Sequence, residues 1–318
     1  MNKKILALLR NATAYVSGEE ISRQLDISRS AIWKHVQELR QEGYEIIAVP
    51  HLGYELVSIP DQLLPEEISP GLNTKIMGRE IYHYDMVPSS MDIAMDLAIK
   101  GCKEGVVVFA EGQYKGRGRL SRFWSSPKNK GIYFSLILRP KISPNECPKL
   151  TLLSAVAVCQ AIRQITGLEC FIKWPNDLII DNKKVGGILT EMNADTDMVR
   201  FVVIGIGINV NTSESLLPVK STSLKEQSGE RISRIELARE ILKQLEREYI
   251  LFQKEGFKTI IEKWKKLSAT LGHRIRVHFR KEYIEGQALD IDEQGALLLK
   301  KDSGHIERIT AGDILKVR

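Results

Sequence analysis

The chain has 318 residues, 43% of them hydrophobic and 27% charged, a balance that suits two or three globular domains and excludes disordered and fibrous classes. With 46 Lys/Arg against 40 Asp/Glu it carries a formal charge of +6, which points toward anionic partners. No apolar run reaches the roughly 20 residues of a membrane span, and the run behind Lys3 and Lys4 is too short for a secretory signal, so a cytoplasmic protein without a membrane partner is expected.

Cys102, Cys147, Cys159 and Cys170 form no C-x-x-C pair, which fits a reducing compartment and excludes a disulfide framework. The six histidines have no cysteine or carboxylate at ligand spacing, so no protein-held metal is expected.

The first 60 residues read as helices followed by a hairpin. Ser17-x-x-Glu20 fits a capping box and predicts a helix over 19–25. Ser28 caps a second helix with Ile32, Val36 and Leu39 inward and Gly43 as its stop. Two helices at this spacing, followed by strands over 44–49 and 54–57, predict a winged helix-turn-helix. Ser28, Arg29, Ser30, Trp33, Lys34 and Gln37 form the candidate DNA-reading face, with Arg29 and Lys34 for phosphates and Ser30 and Gln37 for base edges. The segment holds seven Lys/Arg and seven Asp/Glu, so the DNA reading rests on geometry rather than charge, and a protein-interaction module stays open as the alternative.

Pro60, Pro65 and Pro70 read as a linker over 61–74. An α+β domain with a largely antiparallel sheet follows over 75–267, with strands expected at 106–110, 133–138, 171–173, 178–180, 186–191 and 199–210 and helices at 91–99, 150–165, 234–252 and 257–267. Short alternating runs separated by Gly286, Gly295, Gly304 and Gly312 predict a small β-barrel over 270–318.

Four motifs in the middle domain carry chemistry. Gly116-Arg117-Gly118-Arg119 sets two guanidiniums in a permissive loop, a combination suited to phosphate but equally to nucleic acid. Lys173-Trp174-Pro175-Asn176-Asp177 places bulky and polar residues where a strand core would not choose them. Gly186-Gly187-Ile188-Leu189 and Gly205-Ile206-Gly207-Ile208-Asn209 are strands whose glycines admit either a ligand or tight packing against the backbone.

In this order and spacing the motifs resemble those of biotin protein ligases, and with the flanking domains the resemblance covers the whole chain and extends to the bacterial ligases that also repress the biotin operon. It implies an SH2-like, class II synthetase-related catalytic domain and an SH3-like C-terminal domain. It implies ATP-dependent formation of biotinyl-5'-AMP, transfer of biotin to a lysine of a biotin carboxyl carrier protein domain, Mg²⁺ arriving with the nucleotide, operator DNA as a partner, and a homodimer promoted by biotinyl-5'-AMP.

By the same resemblance, Ser89, Ser90, Met91, Gln113, Gly116, Arg117, Gly118, Arg119, Lys173, Gly187 and Gly205 surround biotin, with Arg117 holding the loop closed. Arg119, Lys173, Asn176, Lys184, Asn209 and Thr222 face the nucleotide. Lys173 and Arg119 are the expected catalytic pair. Two anions brought to about 4 Å repel by several kcal/mol at intermediate dielectric, and Lys173 is the cation expected to stand between them. The chain departs from familiar members at Leu120-Ser121, where some have Arg-Gly, and at Met91, where Asn or Gln follows the serine pair. Trp124 either stacks on a ligand or fills the core. The alternatives are a lipoate protein ligase and a transcription factor that senses biotinyl-adenylate without making it.

Overall fold

The computed structural model describes residues 1–279 and 282–317. The chain divides into two compact units, Met1–Gln62 and Leu63–Arg318.

In the first, helices α1 (Asn2–Asn11), α2 (Gly18–Leu25) and α3 (Arg29–Gln41) precede a hairpin of β1 (Glu45–Val49) and β2 (Gly53–Ser58). Ile5, Leu9, Ile21, Ile32, Val36 and Leu39 form the core, so the inward face read from the sequence for α3 is the observed one. Ser17 Oγ accepts from Glu20 N at 3.0 Å, but the Glu20 carboxylate takes Arg23 and Gln24 instead of reaching back, so half of the capping box forms. Ser28 Oγ accepts from Ala31 N at 3.2 Å. Val16 and Tyr54 exchange both backbone bonds, at 2.8 and 2.9 Å, adding a short third strand to the wing. The close approach needs a glycine: a Cβ on Gly53 would lie 2.1 Å from Val16 O.

The second unit begins earlier than the sequence suggests. Leu63, Ile68 and Leu72 are buried around helix α4 (Pro65–Ile68), and Leu63 N donates to Glu111 Oε1 at 2.6 Å. From Leu63 onward the segment expected as linker is therefore packed, because apolar residues between the prolines give each turn something to bury.

A seven-stranded sheet follows, built from β3 (Ile81–Val87), β4 (Val107–Gln113), β5 (Gly131–Leu138), β6 (Phe171–Lys173), β7 (Asp177–Ile180), β8 (Lys183–Ala194) and β9 (Val199–Asn209) in the order β3-β4-β5-β9-β8-β7-β6. β3 pairs in parallel with β4, joined through helix α5 (Ser90–Ile99), and every other pairing is antiparallel. β3 is absent from the expected strands because His83 and Asp85 interrupt its apolar pattern.

Helix α6 (Cys147–Thr166) is apolar nearly all round, as a helix enclosed on several sides must be. It shares the main core with α8 (Arg234–Glu255) and α9 (Lys258–Leu267), while short α7 (Leu224–Ser228) follows the last sheet strand. Met91, Ala94 and Ala98 of α5 pack in a separate cluster with Val108 and Val203.

β10 (Arg274–Phe279), β11 (Glu282–Ile291), β12 (Leu297–Lys300), β13 (Ile306–Ile309) and β14 (Asp313–Val317) make an antiparallel sheet in the order β13-β12-β11-β10-β14. Trp174 ties it to the seven-stranded sheet, with Nε1 donating to Gly295 O at 3.1 Å from a fully buried ring.

Candidate active site

The loop from Gly116 to Trp124 is a small hairpin. Gly118 N bonds Arg122 O at 2.7 Å and Trp124 N bonds Gly116 O at 2.9 Å. At its tip Leu120 (φ 56°) and Ser121 (φ 56°) both take the left-handed conformation, which glycine or asparagine adopts with least cost. For L-residues the penalty is about 1–2 kcal/mol each. The flanking side chains hold the turn: Arg119 Nη1 donates to Gly312 O at 3.0 Å and to Asn176 Oδ1 at 3.2 Å, while Arg122 pairs with Asp313. Arg117 forks onto Glu191 with two 3.2 Å bonds and reaches Asp92 at 2.5 Å; these bonds, Glu191 foremost, raise its already high pKa.

Behind the loop a cavity of about 240 Å³ opens. Ser89 caps α5, its Oγ accepting from Met91 N at 3.3 Å, and Ser90 N donates to Gln113 Oε1 at 2.8 Å. Gln113 Nε2 donates to Ser126 Oγ at 3.0 Å, which fixes the amide orientation. The strand glycines admit side chains here: a Cβ on Gly205 would lie 2.6 Å from Met91 Sδ, and one on Gly207 would lie 2.5 Å from Trp124 Nε1. That indole nitrogen is buried without a hydrogen-bond partner, and the Lys184 ammonium sits 5.3 Å from the ring centroid.

Lys184 Nζ pairs with Asp177 at 2.5 Å. Lys173 is half-buried next door, and burial, with Lys184 adding repulsion, holds its ammonium below the usual lysine range against the pull of Asp177. Asn176 Nδ2 donates to Ile188 O at 2.8 Å, and Asn209 Nδ2 donates to Thr222 O at 3.0 Å.

Ser89, Ser90, Met91, Gln113, Arg117, Gly118, Arg119, Asn176, Lys184, Gly187, Gly205 and Asn209 thus line one cavity, while Gly116, Lys173 and Thr222 are not among its walls. Gly116 closes the hairpin, where a Cβ would meet Trp124 O at 2.6 Å. The Thr222 hydroxyl accepts from Gln227 Nε2 at 3.0 Å. Arg122, Asp177, Pro218, Ser221 and Asp313 also line the cavity and were not among the expected site residues. Asp177 sits in a motif already singled out, whereas nothing local in the sequence ties Asp313, about 190 positions from Arg119, to the loop.

Three family models match in chain order: an HTH domain over residues 2–55, the biotin/lipoate A/B protein ligase family over 84–209, and the biotin protein ligase C terminal domain over 270–317. The bifunctional ligase/repressor BirA of Bacillus subtilis strain 168 is 42% identical over 99% of this chain and 98% of its own. The chain belongs to the family of bifunctional biotin ligase/repressors. The BirA of Escherichia coli K12 is 32% identical over 98% of this chain and 95% of its own. Among solved structures, the biotin protein ligase from Aquifex aeolicus in complex with biotin and ATP superposes with a TM-score of 0.64 at 29% identity, covering 76% of this chain and 99% of that one. Membership in this family sets aside the lipoate ligase alternative.

On the first unit, Ser28, Arg29, Ser30, Trp33 and Lys34 are exposed on α3 and Gln37 is half-buried. Arg29 reaches Glu19 at 3.1 Å, and Ser28 is engaged as the helix cap. Among the described residues no helix is long and apolar enough to cross a membrane.

Proposed function

We propose that this cavity joins biotin to ATP as biotinyl-5'-AMP and transfers the acyl group to a carrier-protein lysine, and that the adenylate-bound protein represses transcription as a dimer on operator DNA, in the cytoplasm. The observation that carries this reading is that an oriented amide, Gln113 with Ser90, and two cations, Lys184 and Arg119, line a single cavity.

In the first step a biotin carboxylate oxygen attacks the α-phosphorus and pyrophosphate leaves. The approaching anions need a fixed positive charge between them, and charge already in place costs no reorganisation during reaction. Lys184, held by Asp177 and lining the cavity, takes that role in place of Lys173, which is not among the walls. Arg119 anchors the phosphate of the adenylate. Gln113 and Ser90 orient the ureido ring, and Trp124 offers a flat apolar face with one free donor. Arg117, engaged by Glu191 and Asp92, keeps the hairpin shut against water.

Among the described residues no cluster of three or more His, Cys, Asp or Glu is placed to hold a metal ion, and Asp177 and Asp313 are already paired with cations. That donor set fits a Mg²⁺ that arrives on the nucleotide phosphates, shields their charge and keeps most of its waters. Asn209, on the cavity wall, would offer such an ion a neutral oxygen.

A winged helix with balanced charge binds DNA weakly as a single copy, so two copies on one duplex supply the affinity. Intact candidate cations argue for catalysis over the sensor-only alternative. The test incubates the full chain with labelled biotin, Mg-ATP and a biotin carboxyl carrier domain: pyrophosphate release and a biotinylated lysine are expected, and neither product appearing would overturn the reading. Sedimentation without ligand, with biotin, and with biotin plus ATP checks the dimer, which is expected to strengthen in the third state.

A further inference from the structure

A second cavity, of about 310 Å³, lies beside the first and shares Arg119, Asn176, Ile188 and Leu189 with it. Its other walls come from the start of α6, from β8 and from the C-terminal sheet, including Cys147, Thr151, Thr190, Met192, Gly295 and Thr310. Met192 and Thr310 are exposed, so the cavity opens at the protein surface, while its shared wall faces the site of acyl-adenylate formation. No role assigned above falls on the walls that it does not share.

Its chemistry narrows the occupant. Among the described residues lining it, Arg119 carries the one charge and no carboxylate is present. The other titratable wall group, the Cys147 thiol, is pushed up to about 11 by burial and stays neutral. Thr151 and Thr190 share a hydrogen bond at 2.8 Å, which leaves oxygen lone pairs to accept from an N–H. Acyl transfer requires a neutral amine, whereas a lysine in water has a pKa of about 10.4 and is protonated. An apolar passage disfavours the ammonium through desolvation, and a guanidinium on its wall disfavours it again through like charge.

We infer that the second cavity admits the side chain of the acceptor lysine, drawing its alkyl stem and neutral amine from the surface to the adenylate. The inference rests on the ligase reading above. The amine sheds one proton to solvent on entry. Its nitrogen then attacks the biotinyl carbonyl carbon, the bond from that carbon to the phosphate oxygen breaks, AMP leaves with the electron pair, and the amide nitrogen loses a second proton to solvent.

The test separates the two half-reactions in the full-length protein. Thr190→Trp fills the cavity from β8, and Thr310→Trp fills it from an exposed position, where a substitution away from the core disturbs the fold least. Both variants are expected to release pyrophosphate from biotin and Mg-ATP at the parent rate, while single-turnover transfer of preformed adenylate to a biotin carboxyl carrier domain slows on the order of 100-fold. Thr190→Glu, which sets a carboxylate beside the amine, is expected to move the acid limb of the transfer-rate profile up by about one pH unit or more and to leave the adenylation profile in place. Unchanged transfer in both Trp variants would overturn the inference, and so would adenylation and transfer falling together, which would give the cavity to the nucleotide. A parent protein that releases no pyrophosphate would overturn the ligase reading instead, a separate result.

Discussion

The two functional surfaces of this chain hold their side chains in opposite ways. Of the candidate DNA-reading residues all but half-buried Gln37 stand in solvent, with Trp33 59% exposed and Arg29 engaged in a surface ion pair. In the cavity Gln113, Arg117, Arg119, Asn176, Lys184 and Asn209 each already have a partner. Groups that stabilise developing charge work best when fixed beforehand in a dry site, so catalysis favours engaged residues. A reader of DNA gains its affinity when phosphates displace counterions, so its side chains can stay solvated until the duplex arrives. Substitutions in the cavity region should therefore disturb folding and chemistry, and those on α3 should disturb binding alone.

The largest effect is expected at the buried ion pair between β4 and α8. Arg234 and Glu111 are both fully buried and meet at 2.8 Å, and Glu111 also takes His83 at 3.1 Å. Glu111→Gln breaks a fully buried ion pair by removing the charge of one partner and should cost about 3–5 kcal/mol in denaturant unfolding. Burial pushes the Glu111 carboxyl up, but the bonds from His83, Arg234 and Leu63 N–H outweigh it and hold the group below its ordinary value. A carboxylate held low in the fold adds stability above its unfolded pKa, and that stability is lost as pH falls through the folded value. The parent should therefore lose stability more steeply than the variant below about pH 4, the unfolded range of a glutamate. A variant as stable as the parent would remove the contrast with the surface pairs of the first unit.

Next comes Lys184→Gln, expected to slow adenylation about 10²- to 10³-fold, the usual cost of removing one fixed charge-stabilising group. Lys173→Gln is expected to cost less. The reverse order in pyrophosphate release would return the central role to Lys173. Smaller again is Arg119→Gly, which should leave adenylate formation measurable but shorten its retention, seen as labelling of bystander lysines. Labelling as selective as the parent's would show that Arg119 does not hold the adenylate.

Smallest in stability is Lys34→Ala on α3, expected within about 0.5 kcal/mol of the parent. It should weaken operator binding evenly across sequences and reduce the salt slope by about one. A shift in unfolding larger than its shift in DNA affinity would break the comparison from the other side.

The same contrast bears on what the sequence made legible. Helix α3 was readable because Ile32, Val36 and Leu39 repeat at helical spacing and Ser28 caps it, both of them local signals. The cavity was readable in part because its motifs are contiguous strings around Arg119, Asn176, Gly187 and Gly205. What escaped were residues brought in over long distances. Asp313 and Ser221 reach the cavity through pairing of separate segments, and of the two expected lysines Lys184 lines it while Lys173 does not. β3 and the packed stretch from Leu63 escaped for the opposite reason, since polar and proline residues hid apolar positions that only tertiary contact completes.

The contact between Arg119 and the carbonyl of Gly312 has a consequence in time as well as space. Among the described residues β14 follows the other strands in the chain. On a ribosome, the winged helix and the seven-stranded sheet would emerge and begin to fold well before the residues that hold the hairpin tip. A nascent chain would thus carry its winged helix and most of its cavity while Arg119 and Arg122 still lacked Gly312 and Asp313, so the hairpin tip would be fastened only after the sheet beside it had formed.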